Sequence, residues 1–494
     1  MKKRNLNYLN WRRGAWVVPA LWLATAAALP AQTFTTLFNF YGGNTNGSNP
    51  VAPLIQGADG NFYGTTQQGG PNCFSYGVNG CGTVFKMTPK GMLTTLYYFC
   101  SLANCADGAG PNGLLLGTDG SFYGTTLNGG APGGWGTVFK IARTGALTTL
   151  YTFCVSGTCT DGGVPSGLVQ GTNGDFYGTT KNGGVHGMGS VFEVSRSGAL
   201  TTLYSFCAAT NCADGSDPRA GLVEGANGNF YGTTNYGGAY GWGSVFGITA
   251  AGALTTLYSF CESGQESGNC PDGSFPSAAL AAGSDGNFYG TTYNGGTDNT
   301  CNDGCGTVFQ MTPGGALTTL HSFAMTDGAN PFSQLVAGTD GDFYGTTVEG
   351  GGDSQGTVFR IATGGAFTSL HSFDVTDGAN PEGLVQGTNG TFYGTTDSGG
   401  TTVHYGTVFS LSVGLGAFVK TVPTAGKTGS AVKILGTNLT GATRVSFNGA
   451  AAAFTVVSRS EISTTVPAGA TSGPVEVTTP GGTLSSNAAF HVPR

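Results

Sequence analysis

Phe176-Tyr177-Gly178-Thr179-Thr180 is one of seven copies of F-Y-G-T-T, whose tyrosines stand at Tyr63, Tyr123, Tyr177, Tyr231, Tyr289, Tyr344 and Tyr393, 49 to 60 residues apart. A self-similar period of this length lies near that of propeller blades, roughly 40 to 50 residues each, and exceeds that of most solenoid repeats. Around this copy four β-like runs follow one another: Gly167 to Gly171, Phe176 to Thr180, Gly189 to Val194 and Ala199 to Phe206. Each is rich in Val, Thr, Phe or Tyr and bounded by Gly, Asn or Asp, the pattern of strands joined by hairpins. In the fourth run Leu200, Thr202, Tyr204 and Phe206 fall on one side and Thr201, Leu203 and Ser205 on the other. Both sides carry apolar atoms, as a sheet packed between two neighbours requires. No helical period is visible after residue 31.

The ends of the array complement each other. It begins with a lone fourth-strand copy, Thr33 to Phe40, and ends with a third strand, Gly406 to Leu411, that lacks its partner. Joining the two predicts an all-β, seven-bladed β-propeller over residues 32–413 with no dangling edge. In such a blade the first-to-second and third-to-fourth turns share one face, and the remaining loops share the other. The first set is short and uniform, as in Ala58-Asp59-Gly60 and Pro89-Lys90-Gly91; the second holds all twelve cysteines, both long insertions and most of the aromatic variety.

The cysteines form neighbouring couples: Cys73 and Cys81, Cys100 and Cys105, Cys154 and Cys159, Cys207 and Cys212, Cys261 and Cys270, Cys301 and Cys305. None is C-x-x-C and no histidine stands near them in a finger-like pattern, so six local disulfides in an oxidising compartment are expected, with no metal and no cofactor. Export fits the N-terminus. Lys2, Lys3, Arg4, Arg12 and Arg13 precede an uncharged run from Gly14 to Ala28, and Pro30-Ala31 before Gln32 reads as a cleavage site, so residues 1–31 form a signal peptide. The expected location is extracellular or at the cell surface, with the periplasm also compatible. No transmembrane segment is expected in the mature chain, and a monomer is. With 9% charged residues and a net charge of -7 there is no basic stripe for phosphates, which argues against nucleic acid as a partner.

D-G-x-x-P recurs in the blade-to-blade loops, starting at Asp107, Asp161, Asp214, Asp272, Asp327 and Asp377, with Asn46 in the seventh place. A ring of carboxylates could hold a hard cation, but Asp-Gly followed by Pro is turn chemistry in which the carboxylate caps backbone N–H groups. The second-to-third loops carry Phe74, Tyr76, Trp135, His186, Tyr236, Tyr240, Trp242, His404 and Tyr405. Aromatics on one face suit stacking on a sugar or capture of a peptide, which makes these the candidate ligand contacts. Trp135, Met188, Trp242 and Tyr405 also stand at equivalent places before the third strand, which argues for a repeated packing role. No catalytic residues are assigned: G-x-S-x-G, H-E-x-x-H and the phosphate-cradling loop are all missing. Glu349, Asp353, Asp298 and Asp303 depart from the repeat's usual residues and read as solvated loop acids.

F-Y-G-T-T, then N-G-G, then G-T-V-F-K, then G-x-L-T-T-L-Y-x-F resembles the GloVer tandem repeat of exported bacterial proteins, over residues 33–413. The resemblance implies export and surface association and carries no activity. Residues 416–494 are similar to the IPT/TIG fold, an immunoglobulin-like β-sandwich, through Val432 to Asn438, Val445 to Gly449, Val466-Pro467, Ser472 to Val477 and Pro480 to Gly482. Short strands between Gly/Pro turns argue for a sandwich independently. The expected function is a non-catalytic extracellular or cell-surface binding and scaffolding protein whose disulfide-rich face contacts a glycan or a surface protein. A carbohydrate-active hydrolase or lyase, and a purely structural envelope protein, are the alternatives.

Overall fold

The computed structural model describes residues 32–42, 46–71, 81–130, 133–262, 270–298, 300–401 and 405–493. Among them there is no α-helix; the strands form nine four-stranded antiparallel sheets. Seven belong to the repeats. A representative sheet runs Gly163–Gln170, Phe176–Asn182, Ser190–Val194 and Leu200–Ser205, in that order. The last repeat supplies Ala379–Gln386, Phe392–Ser398 and Thr407–Ser412, and its fourth strand is Thr33–Asn39 from the start of the chain. Phe34 lies opposite Leu411 and Asn39 opposite Thr407, the pairing expected from the complementary ends.

Each residue of F-Y-G-T-T has a separate physical task. Phe176 and Tyr177 are buried in successive sheet-to-sheet contacts: Tyr123 meets Phe176 at 4.0 Å between ring centroids, and Tyr177 meets Phe230 at 4.0 Å. Such aromatic pairs contribute roughly 0.5–1.5 kcal/mol beyond the burial of their area. Gly178 leaves room for the ring of Phe192 on the third strand, which a Cβ would meet at 2.7 Å. Thr179 donates its hydroxyl across to the Ala220 carbonyl of the next sheet at 2.7 Å, and Thr180 shares a buried hydrogen bond with Ser190 at 2.8 Å. Side-chain amides add further ties between sheets. Gln170 accepts Thr118 N–H at 3.0 Å, and Gln56 of the first full repeat accepts Thr388 N–H of the last at 2.9 Å.

The remaining two sheets form the C-terminal sandwich. One contains Lys420–Val422, Ala431–Leu435, Glu461–Thr465 and Phe454–Ser458; the other contains Ala450–Ala451, Arg444–Phe447, Val475–Thr479 and Gly482–Ser485. Val432, Ile434, Phe447, Ile462, Val475 and Val477 alternate inward to make its core. The sandwich rests on the first-to-second turns of the repeats. Ser460 donates to the Ala58 carbonyl at 2.8 Å, Phe418 N–H to the Thr388 carbonyl at 3.0 Å, and Thr388 and Thr437 share a hydroxyl hydrogen bond at 2.8 Å. Leu435 joins the apolar cluster of Ala58 and Leu116. Gly390 is required at this junction: its φ is +89°, and a Cβ there would collide with the Leu415 carbonyl.

Candidate functional site

The loop end of the repeat sheets, opposite the sandwich, is built from a sevenfold main-chain motif. The residue before each innermost-strand proline is Asn49, Gly110, Val164, Asp217, Phe275, Asn330 or Asn380, with φ between 53° and 63°. Each donates its N–H to the carbonyl of the residue two places before the third strand of the preceding repeat, namely Tyr405, Cys81, Trp135, Met188, Trp242, Cys305 or Gln355, at 2.7 to 3.0 Å. Asn, Asp and Gly tolerate this left-handed backbone, whereas Val and Phe are strained in it. The repeated role read from the sequence at Trp135, Met188, Trp242 and Tyr405 is therefore a role of the main chain. Their side chains are free to differ, and Trp135 is 44% exposed and Tyr405 39%.

The loop aspartates act as caps. Asp107 accepts Ser101 N–H at 2.9 Å, Leu102 N–H at 3.2 Å and the Tyr97 hydroxyl at 2.8 Å. Asp161, Asp214 and Asp272 accept Tyr151, Tyr204 and Tyr258 in the same way, and His321 and His371 replace the tyrosine opposite Asp327 and Asp377. Burial and the Asp214 hydrogen bond push the Tyr204 phenol up to about 12. Four disulfides pin these loops, Cys100–Cys105, Cys154–Cys159, Cys207–Cys212 and Cys261–Cys270, and a fifth, Cys301–Cys305, pins a second-to-third loop. Cys81 is also disulfide-bonded, while its expected partner Cys73 lies outside the described residues. Among the described residues the one group of three metal-capable side chains is Cys81, Cys100 and Cys105, whose sulfurs are all engaged in disulfides.

Of the candidate contacts, Phe74, Tyr76 and His404 lie outside the described residues. His186 is exposed, Tyr236 is 43% exposed, and Tyr240 and Trp242 are half-buried. Tyr236 and Trp242 converge on Phe275, at 5.3 and 5.2 Å between centroids, and the Arg219 guanidinium lies 5.8 Å from the Tyr236 ring. Arg219 pairs with Asp217 at 2.8 Å.

Inside the sheets is a chamber of about 690 Å³, lined by innermost strands of the repeats and closed by Lys420 to Ala425 and Ser486 to Ala488 of the sandwich. Glu382, Lys420 and Glu224 line it without an ion-pair partner among the described residues, and Glu224 is held by the Thr172 hydroxyl at 3.1 Å. Glu382 has no hydrogen-bond partner among the described residues, and burial, with Asp397 nearby, pushes its carboxyl up to about 8. Lys420 donates to the Gln386 carbonyl and lies 5.3 Å from the Phe418 ring; burial pushes its ammonium down to about 8.

The Gloeobacter/Verrucomicrobia repeat matches at residues 25–157, 73–301, 213–409 and 263–451. The chain belongs to the Gloeobacter/Verrucomicrobia repeat family. In this family member residues 418–492 match the IPT/TIG domain. No curated protein matches the sequence. Among solved structures it is similar to a fungal alcohol oxidase of the AA5 family in complex with copper, with 13% identity and a TM-score of 0.50 over 94% of this chain and 99% of that one. It is also similar to the extracellular domain of a hybrid two-component system of Bacteroides thetaiotaomicron, with 11% identity and a TM-score of 0.51, over 93% of this chain and 46% of that one. PorZ, a surface component of the type-IX secretion system of Porphyromonas gingivalis, matches at 14% identity and a TM-score of 0.48, over 91% and 60%. At these identities the likeness is one of fold.

In this member of the repeat family, sequence reasoning missed Arg219, Phe275, Glu382 and Lys420. A usable signal existed for three of them. Aligning the seven repeats shows Asn, Gly, Val, Asp or Phe before the innermost proline, and Val51, Asn112, Ser166, Arg219, Ser277, Phe332 and Glu382 after it. Such variation inside a monotonous repeat marks positions released from the common architecture.

Proposed function

We propose that this is an exported, non-catalytic surface protein whose disulfide-rich end binds a glycan or a protein. In this reading residues 1–31 direct export, residues 32–413 close into a seven-bladed propeller, and residues 416–494 form the sandwich. Closure is supported by the pairing of Thr33–Asn39 with Thr407–Ser412 and by the contact of Tyr393 with Phe62. Export is supported by five disulfides, which persist in oxidising compartments. Among the described residues no helix is long and apolar enough to cross a membrane.

The observation that carries the binding reading is the division of labour at the loop end. The fold uses the carbonyls of Trp135 and Tyr405 and leaves their rings exposed, and Trp135 stands beside the loop closed by Cys154–Cys159. Exposed, pre-ordered aromatics lower the entropy lost on binding. The sandwich occupies the other end, so the loop end is the one presented to a partner. A glycan array and a panel of cell-surface proteins, run beside a turnover screen on the same sugars, test the proposal. Binding that is lost in a Trp135→Ala/Tyr236→Ala/Tyr405→Ala variant, without turnover, is the expected result. Turnover of a bound sugar overturns the non-catalytic reading, and capture of nothing overturns the binding reading.

A further inference from the structure

We propose that the chamber is a second binding site, for a small polyhydroxylated carboxylic acid of the uronic-acid class, with Lys420 of the sandwich as the contact for its carboxylate. The inference builds on the non-catalytic reading but not on the aromatic loop end.

Lys420 reaches the chamber from the first strand of the sandwich, Lys420–Val422. Its ammonium meets no carboxylate among the described residues; it donates to the Gln386 carbonyl and lies 5.3 Å from the Phe418 ring. An enclosed ammonium without a counter-ion is unfavourable unless something supplies the negative charge. Glu382 does not supply it. It stands four residues before Gln386 on the same innermost strand, Ala379–Gln386, which at about 3.3 Å per residue puts it roughly 13 Å from the Lys420 contact. Burial also favours its neutral form, so at neutral pH it is a hydroxyl donor rather than an anion.

The walls between these two groups fix the rest of the ligand. The amides of Asn112 and Asn487 and the hydroxyl of Thr424 line the chamber, and their side chains have no protein hydrogen-bond partner among the described residues. Leu115 and Val385 provide apolar surface alongside them. A single cation at the floor matches one carboxylate. Unpaired amides and hydroxyls match several ligand hydroxyls, and the apolar wall matches the C–H faces of a sugar ring. A chamber of about 690 Å³ falls in the range of roughly 300–1,000 Å³ typical of small-molecule sites, room for a mono- or disaccharide.

Titration calorimetry on the full mature chain tests this, using glucuronate, galacturonate and their disaccharides against glucose, galactose and the matching neutral disaccharides. The acidic sugars should bind at least tenfold more tightly than the neutral ones. Lys420→Met should remove that preference while melting at the same temperature or higher, because an unpaired buried charge is gone. Should Lys420→Met fail to fold, Ala279→Phe, which places a ring in the chamber from a different repeat, should also abolish uronate binding. Trp135→Ala and Tyr236→Ala should leave uronate binding unchanged, which separates this site from the loop end. Equal binding of acidic and neutral sugars, binding of neither, or a preference that survives Lys420→Met or Ala279→Phe overturns the proposal.

Discussion

The ring of Tyr393, in the last repeat, lies 4.0 Å from the ring of Phe62, in the first full one. The same contact joins Tyr63 to Phe122, Tyr123 to Phe176, Tyr177 to Phe230, Tyr231 to Phe288, Tyr289 to Phe343 and Tyr344 to Phe392, at 4.0 to 4.3 Å. Seven tyrosines thus meet seven phenylalanines with none left over.

This equivalence gives the first prediction. Phe62→Ala should cost about 3–5 kcal/mol, the usual loss for a fully buried phenylalanine, and Phe230→Ala in mid-array should cost the same within about 1 kcal/mol. In an open array Phe62 would sit in a terminal unit, and its loss would melt that unit alone. Chemical denaturation of both variants separates the cases, and a small or non-cooperative effect for Phe62→Ala would count against the ring. Deleting residues 33–40 should likewise lower the melting temperature of the whole repeat region, because Thr407–Ser412 loses its partner.

Glu382 predicts a pH effect of definite sign. Its carboxyl ionises at about 8 in the folded protein against 4.5 in an ordinary setting. Between those values the folded chain keeps a proton that the unfolded chain has released, so stability falls as pH rises through the window. Asp397, also raised by burial, acts in the same direction. Lys420, lowered from 10.5 to about 8, acts above this window, where stability rises with pH. Thermal melts from pH 5 to pH 8 should show a decline in the wild type that is smaller in Glu382→Gln. Identical slopes would show that Glu382 is solvated as an ordinary acid.

The loop disulfides should contribute modestly. Cys154 and Cys159 close a loop of six residues, for which the chain-entropy account gives about 2 kcal/mol. A Cys154→Ser/Cys159→Ser variant should lose about that much and keep its β-sheet circular dichroism. Thiol titration of denatured, secreted wild type should find no free cysteine, and several reactive thiols would refute the pairing.

Val164 offers a gain. Its φ of 54° is left-handed, a conformation that costs an L-residue roughly 1–2 kcal/mol and a β-branched one most of all. Three other repeats carry asparagine there. Val164→Asn should raise stability by about 1 kcal/mol in denaturant titration, and a loss would mean that the Val164 side chain has a packing role.

The repeat architecture was legible because its determinants are local and repeated seven times. F-Y-G-T-T encodes a ring back, a ring forward, a gap for Phe192 and two hydroxyl ties within five residues, as Phe176 to Thr180 show. The complementary ends were legible from Thr33 to Phe40, and the capping role of Asp107 from its Gly and Pro neighbours. The seat of the sandwich was not. Ser460 and Lys420 bind backbone carbonyls of Ala58 and Gln386, and a carbonyl leaves no mark in a sequence. Glu382 was not legible because a lone charge beside a turn proline looks solvated; only the inward course of its strand, Ala379–Gln386, makes it line the chamber.

The floor of that chamber comes from the module that follows all seven repeats in the chain. With the ring closed as proposed, a nascent or truncated polypeptide ending before Lys420 has a tube where the finished protein has a cup. Filling of the cup must wait for the last part of the chain to be made and seated, so any cargo held there is acquired only after assembly is finished.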